Sequence, residues 1–197
     1  MNTNQKTKQK EKSREAIAAS AATLLRKRGI KASSVMEVMK GAGLTVGGFY
    51  NHFGSKEELF VETLRNTASS TWHNLLKSAK GDSPRSRTLS VIRQYLSPKH
   101  RDSRETGCLL HSAVPEVARE GGAYRTALEE ELSGFVNSFA RMIDAGAKSR
   151  EKSLGLIAVM YGTLSLSRAV ADSRLSDEFL QAGKKLGEQV LAEEERQ

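Results

Sequence analysis

Ser33-Ser34-Val35-Met36-Glu37-Val38-Met39-Lys40-Gly41-Ala42-Gly43-Leu44-Thr45-Val46-Gly47-Gly48-Phe49-Tyr50-Asn51-His52-Phe53-Gly54-Ser55-Lys56-Glu57-Glu58-Leu59-Phe60 reads as a helix, a tight turn, a second helix and the start of a third. Ser33 and Ser34 can cap the first helix, and Glu37 stands three residues after Ser34, the spacing of a capping box. Val35, Val38, Met39 and Ala42 share one helical face. Gly41 and Gly43 permit a sharp turn, since glycine takes left-handed dihedrals without a Cβ penalty. Thr45 is placed to cap a second helix that turns Phe49 and Phe53 inward. Gly54-Ser55 stops it and caps the next, with Glu57 and Glu58 in the first turn. Two short helices about a glycine turn are the helix-turn-helix plan, whose second helix enters the DNA major groove.

The segment resembles the N-terminal domain of TetR-family transcriptional regulators. The residues carrying the resemblance are Ala42-Gly43-Leu44-Thr45, Gly47-x-Phe49-Tyr50-x-His52-Phe53 and Ser55-Lys56-Glu57-Glu58-Leu59, and it extends back over residues 12–32. It implies that Thr45, Tyr50, His52 and Lys56 contact the DNA backbone, with Ser34 in the same DNA-binding set. Base reading then falls to Val46, Gly47, Gly48 and Asn51. Val46 departs from the polar residue common there, and it can meet a thymine methyl but cannot hydrogen-bond a base.

Outward from this segment, the rest of the chain is helical in pattern, and the expected fold class is all-α. The expected division is a disordered basic arm over residues 1–12, a helix-turn-helix domain over 13–60 and a ligand-binding, dimerising helical bundle over 61–197. In the arm, Lys6, Lys8, Lys10 and Lys12 can reach DNA or simply solubilise the chain. The first helix is expected over 13–28, closed by Gly29. A long third helix from Ser55 to about residue 79 links the two domains. Further helices are expected over 84–96, 107–119, 124–147, 150–172 and from about Asp177, with Gly121-Gly122 as a breaker, a loop over 98–106 and a fraying end at 193–197. Pro115 should kink or restart its helix. The helix at 150–172 is apolar nearly all round, which predicts burial on more than one side.

The charge is uneven. Residues 1–60 carry eleven Lys/Arg and five Asp/Glu, hence +6 of the net +8, while the remainder carry twenty and eighteen. The basic excess therefore lies with the helix-turn-helix, as phosphate binding requires. No apolar run of about eighteen residues is present for a membrane span, and the polar N-terminus is no secretory signal, so a cytoplasmic protein without a membrane partner is expected.

By pattern, the second domain resembles the family's effector-binding and dimerisation domain. Candidate ligand-binding residues are Trp72, Tyr95, Cys108, Leu110, His111, Val114, Tyr124, Phe135, Phe139 and Met142, each of which plain core packing would equally explain. Candidate dimer contacts are Ile157, Met160, Tyr161, Leu164, Phe179, Leu186 and Val190. One motif reads only a short half-site, so two copies about 34–36 Å apart are needed for specificity. The lone Cys108 sits by an expected helix start with Arg104 and His111 near in sequence, a setting that lowers a thiol pKa. Its alternatives are a reactive sensor and an inert buried thiol.

Enzyme signatures are missing. His52, His73, His100 and His111 show no His-Glu-x-x-His spacing and there is no cysteine pair for zinc, so no metal or other cofactor is expected. Gly41-Ala42-Gly43 opens like a dinucleotide loop, but Val46 fills the third glycine position and no strand precedes it. The expectation is a dimeric DNA-binding regulator, more often a repressor than an activator, released from a palindromic operator by a small molecule. The alternative is a helical interaction protein, or a small-molecule enzyme, whose helix-turn-helix does not bind DNA.

Overall fold

A computed structural model describes residues 3–103, 105, 107–144 and 146–192. Its elements are α1 (Thr3–Arg28), α2 (Val35–Gly41), a 3-10 helix (Val46–Asn51), α3 (Lys56–Lys77), α4 (Pro84–Tyr95), α5 (Pro98–Asp102), α6 (Leu110–Glu120), α7 (Gly122–Ile143), α8 (Ser149–Ala169) and α9 (Ser173–Ala192), with no strand among the described residues. They form two compact units, Met1–Ala68 with Cys108–Glu130 and Ser69–Gly107 with Glu131–Gln197. Residues 61–68 and 108–130 thus group with the N-terminal helices, not with the bundle assigned to 61–197.

The first unit is built on the inward stripe of α1. Ile17, Ala21 and Leu25 recur at helical spacing and are fully buried, together with Val38, Met39, Phe49, Phe53, Leu59, Phe60 and Leu64. Each such side chain contributes roughly 1.5–3 kcal/mol over an exposed one, which is how three short helices that cannot stand alone hold together. Ser20 crosses from α1 to donate to the Val38 carbonyl at 2.8 Å, and Gly41 packs against the same hydroxyl. Close approach is therefore the reason for Gly41, while the positive φ of the turn belongs to Gly43, at +69°. The capping box forms as expected: the Ser34 hydroxyl accepts from the Glu37 N–H at 3.2 Å, and the Glu37 carboxylate accepts from the Ser34 N–H at 3.1 Å. At α3 the Glu58 N–H donates to the Ser55 hydroxyl at 3.0 Å, while the Glu58 carboxylate accepts from the Gly54 N–H at 2.8 Å. From α6, the Glu116 carboxylate accepts the backbone N–H of Ile30, and that of Lys31 at 3.4 Å, beneath Gly29 at φ +79°.

In the second unit α9 lies against α8 and α4 because it presents glycine there. A Cβ on Gly183 would stand 2.5 Å from the Thr163 hydroxyl, and one on Gly187 3.0 Å from Ile92. Leu156, Met160 and Leu164 of α8 and Leu180 of α9 are buried with Ile92 and Leu96. Trp72 stacks on Phe135 at 4.9 Å and Phe135 on Phe139 at 5.8 Å. Arg168 holds α5 by donating to the carbonyls of His100 at 2.6 Å and Arg101 at 2.9 Å.

Several expectations are corrected. Residues 3–12, expected as a disordered arm, are the first turns of α1. Lys, Gln and Glu have good helix propensity, and extending a formed helix is far easier than nucleating one. The second motif helix is a 3-10 helix rather than an α-helix, as suits six residues with two adjacent glycines. The 98–106 loop contains α5, started by Ser97, which accepts from the His100 N–H at 3.2 Å, and by Pro98 at the first helical position. Helix α6 begins at Leu110 rather than Gly107 and runs on through Pro115, α7 ends at Ile143, and α9 begins at Ser173, before Asp177. On α8, Leu154 and Leu166 are 49% and 50% exposed in the single chain. The expected fraying of 193–197 and the place of Arg104 lie outside the described residues.

Candidate functional site

The 3-10 helix fixes what faces outward. With three residues per turn, side chains three apart eclipse. Phe49 points inward and is fully buried, stacked with Phe53 at 5.9 Å, so Tyr50 and Asn51 are turned to solvent over Gly47 and Gly48. Tyr50 is 73% exposed and meets Phe49 edge-on at 5.2 Å, which holds the ring upright without burying its hydroxyl. Val46 is 46% exposed. A Cβ at Gly47 would meet nothing within 4 Å and one at Gly48 only ordinary contacts at 3.9 Å, so the core does not require either glycine. Their effect is to leave bare backbone on the outer surface, between Val46, Tyr50 and Asn51.

The other expected DNA residues divide. Thr45 occupies the N-cap position but its hydroxyl makes no capping hydrogen bond, and it remains exposed. Lys56, at the start of α3, holds its ammonium 5.7 Å from the Phe60 ring centre. Ser34 donates both its N–H and its hydroxyl to the Glu37 carboxylate, at 3.1 Å and 2.9 Å. His52 is half-buried, and burial, then the charges of Lys10 and Arg14, push its imidazole below the ordinary histidine value. Sequence reasoning missed Arg14. It donates to the His52 carbonyl and to Glu62 of α3, and its guanidinium lies 4.1 Å from the Phe53 ring centre. Its position three residues before Ile17 on the inward stripe of α1 is the one signal for it in the sequence.

The description "Bacterial regulatory proteins, tetR family" fits residues 17–63, the segment from mid-α1 to early α3. A 45-residue segment is 44% identical to the HTH-type transcriptional repressor KstR2 of Mycobacterium tuberculosis, covering 23% of this chain and 22% of that repressor. The chain thus spans about a fifth of the length of that relative. The HTH-type transcriptional repressor NemR of Escherichia coli is 26% identical over 140 residues, 69% of each protein. The crystal structure of reduced E. coli NemR superposes with a TM-score of 0.77 at 20% identity, covering 90% of this chain and 96% of that one, a likeness of fold. Over residues 17–63 the chain is therefore similar to the TetR family.

The second unit holds a cleft of about 480 Å³ between α3 and α7. Ser69, Trp72, His73, Leu76 and Lys77 line it from α3, and Glu131, Gly134, Phe135, Ser138 and Met142 from α7. Of the expected ligand residues it gathers Trp72, Phe135 and Met142. Phe139 stacks behind Phe135 as core, and Tyr95 packs elsewhere in the unit, edge-on to His100 at 4.6 Å. Cys108, Leu110, His111, Val114 and Tyr124 belong to the first unit and do not line this cleft. Cys108 lies before α6, is 4% exposed, and interacts electrostatically with Arg26, whose guanidinium burial holds below its usual value. Tyr124 is pushed up by burial, then by Glu57, Glu120 and Glu116.

The expected dimer contacts also divide. Met160 and Leu164 are buried within their own unit and are corrected to core. Ile157 and Tyr161 are half-buried at the margin. Opposite the buried side of α8 stand Leu154, Ala158, Gly162 and Leu166, and no neighbouring atom approaches a Cβ built on Gly162. On α9, Leu186 is 45% exposed in a stripe with Leu175, Phe179 and Val190. No helix among the described residues is long and apolar enough to cross a membrane, and none of their His, Cys, Asp and Glu side chains form a metal-binding group.

Proposed function

We propose that this protein is a ligand-responsive transcriptional repressor, without enzymatic activity, that acts in the cytoplasm as a homodimer on a two-fold symmetric operator. The observation that carries the reading is the outward face of the 3-10 helix. Tyr50 and Asn51 stand exposed over bare glycine backbone, on an element anchored from below by Phe49 and Phe53. Tyr50, Thr45 and Lys56 supply backbone contacts, and Asn51 with Val46 reads base edges. The exposed faces of α8 and α9 join two copies, since a symmetric pair of apolar faces closes on itself. A small molecule in the α3–α7 cleft releases the operator, which requires that it bind the DNA-incompetent arrangement more tightly than the competent one.

Duplex selection from random fragments, followed by affinity against salt for wild type and Tyr50→Ala, tests this. A palindromic site bound with steep salt dependence and lost in the variant is expected. Weak binding without sequence preference would favour a helical interaction protein instead.

A further inference from the structure

The first turns of α1 carry residues that the reading above leaves unused. Lys6, Lys8, Lys10 and Lys12 all lie in this helix and are all exposed, so no core packing explains their charge. They fall on two opposite faces. Successive residues of an α-helix are rotated by about 100°, so residues four apart share a face and residues two apart oppose each other. Lys6 and Lys10 continue the line of Arg14, Ile17 and Ala21, the side of α1 that packs on the motif. Lys8 and Lys12 point the other way. The rotation of α1 is fixed by Arg14, which binds the His52 carbonyl and covers the Phe53 ring. Lys10 already acts electrostatically on His52, the residue that closes the 3-10 helix.

We infer that Lys6 and Lys10 form a phosphate-binding row that extends the DNA contact beyond the helix-turn-helix, onto the backbone flanking each half-site. This rests on the DNA-binding reading above. The four residues from Lys6 to Lys10 advance about 6 Å along α1, against a rise of about 3.4 Å of duplex axis per phosphate of one strand, so the two ammoniums can meet different phosphates. With side chains a helix is about 10–12 Å wide, too broad for a minor groove of about 6 Å, so the row binds backbone and reads no bases. A lipid surface is a poor partner, because residues 3–12 offer Asn, Gln, Thr, Lys and Glu and no apolar face to insert.

The test compares three full-length variants with wild type on the selected operator, measuring affinity from 50 to 200 mM salt. These are Lys6→Gln/Lys10→Gln, Lys8→Gln/Lys12→Gln and Lys6→Arg/Lys10→Arg, with helix content checked by circular dichroism. Glutamine keeps helix propensity, so the first pair removes charge alone. Each lost phosphate contact lowers the slope of log K against log salt by about 0.9, so four contacts per dimer lower it by about 3.6. Over that fourfold salt range, wild type should lose about 150-fold more affinity than the inward-face variant. Lys8→Gln/Lys12→Gln should keep the wild-type slope, since the far side of the helix lies about a Debye length away, and the arginine pair should keep it too. An unchanged slope in the inward-face variant would overturn the inference, as would equal losses for both glutamine pairs. Failure of wild type itself to bind any duplex in a salt-dependent way would overturn the DNA-binding reading and the inference with it.

Discussion

Removing the Glu116 carboxylate should unfasten the chain between α1 and α2. The Glu116 carboxylate accepts the Ile30 N–H, and Ile30 is almost fully buried. A hydrogen bond to a charged acceptor contributes about 1.5–3 kcal/mol, and a buried N–H left without a partner costs about 1–3 kcal/mol. The Lys31 bond, at 3.4 Å, adds little, and partial exposure lets water replace some of the loss. Glu116→Ala should therefore cost about 2 kcal/mol, and Glu116→Gln, which keeps an acceptor but no charge, about half of that. Gly29→Ala should cost a similar amount by a different route. The left-handed backbone costs a non-glycine residue about 1–2 kcal/mol, and the new Cβ would lie 2.5 Å from the carboxylate and displace it. Because both changes break one contact, the double variant should lose clearly less than the two losses added. Urea denaturation of all four proteins at one concentration, read as midpoint shifts at constant slope, measures this. A Glu116→Ala midpoint corresponding to less than about 0.5 kcal/mol, or full additivity with Gly29→Ala, would refute the reasoning.

In α9, Gly183→Ala should destabilise the protein in thermal melts despite the better helix propensity of alanine, because Thr163 and Leu96 occupy the space. Leu186→Glu should give a folded monomer by sedimentation, whereas Met160→Lys should fail to fold, as one is exposed and the other is core. Glu37, held at about 2 by the Ser34 hydroxyl, then the Ser34 N–H and Arg28, binds a proton less readily folded than unfolded. Its contribution is complete above about pH 4.5 and lost as pH falls toward 2, so the stability advantage of wild type over Glu37→Gln should vanish across that window.

What could be read from the sequence was local. The capping box at Ser34, the cap at Ser55, the Gly43 turn and the inward Phe49 and Phe53 depend on residues within four positions of each other, and spacing alone reports them. Arg14 and Glu116 depend on partners up to 86 residues away, which no local pattern encodes. The ligand candidates were split between units because a pocket wall and a core are made of the same apolar residues. Met160 and Leu186 were grouped together because periodicity marks a face as apolar without saying what covers it. Residues 3–12 form helix although their polar composition matches disorder, because Lys, Gln and Glu, seven of the ten, are good helix formers.

The two-sided α8 has a consequence for dosage. On the proposed dimeric reading, the bare side of α8 ties the working species to a second copy. Below the dissociation constant of such a pair, the concentration of pairs rises with the square of the chain concentration. Halving synthesis would then cut occupancy of a weakly held operator about fourfold rather than twofold. A control region bound by its own product would sense that amplification, and copy number would become an input to the switch alongside the small molecule.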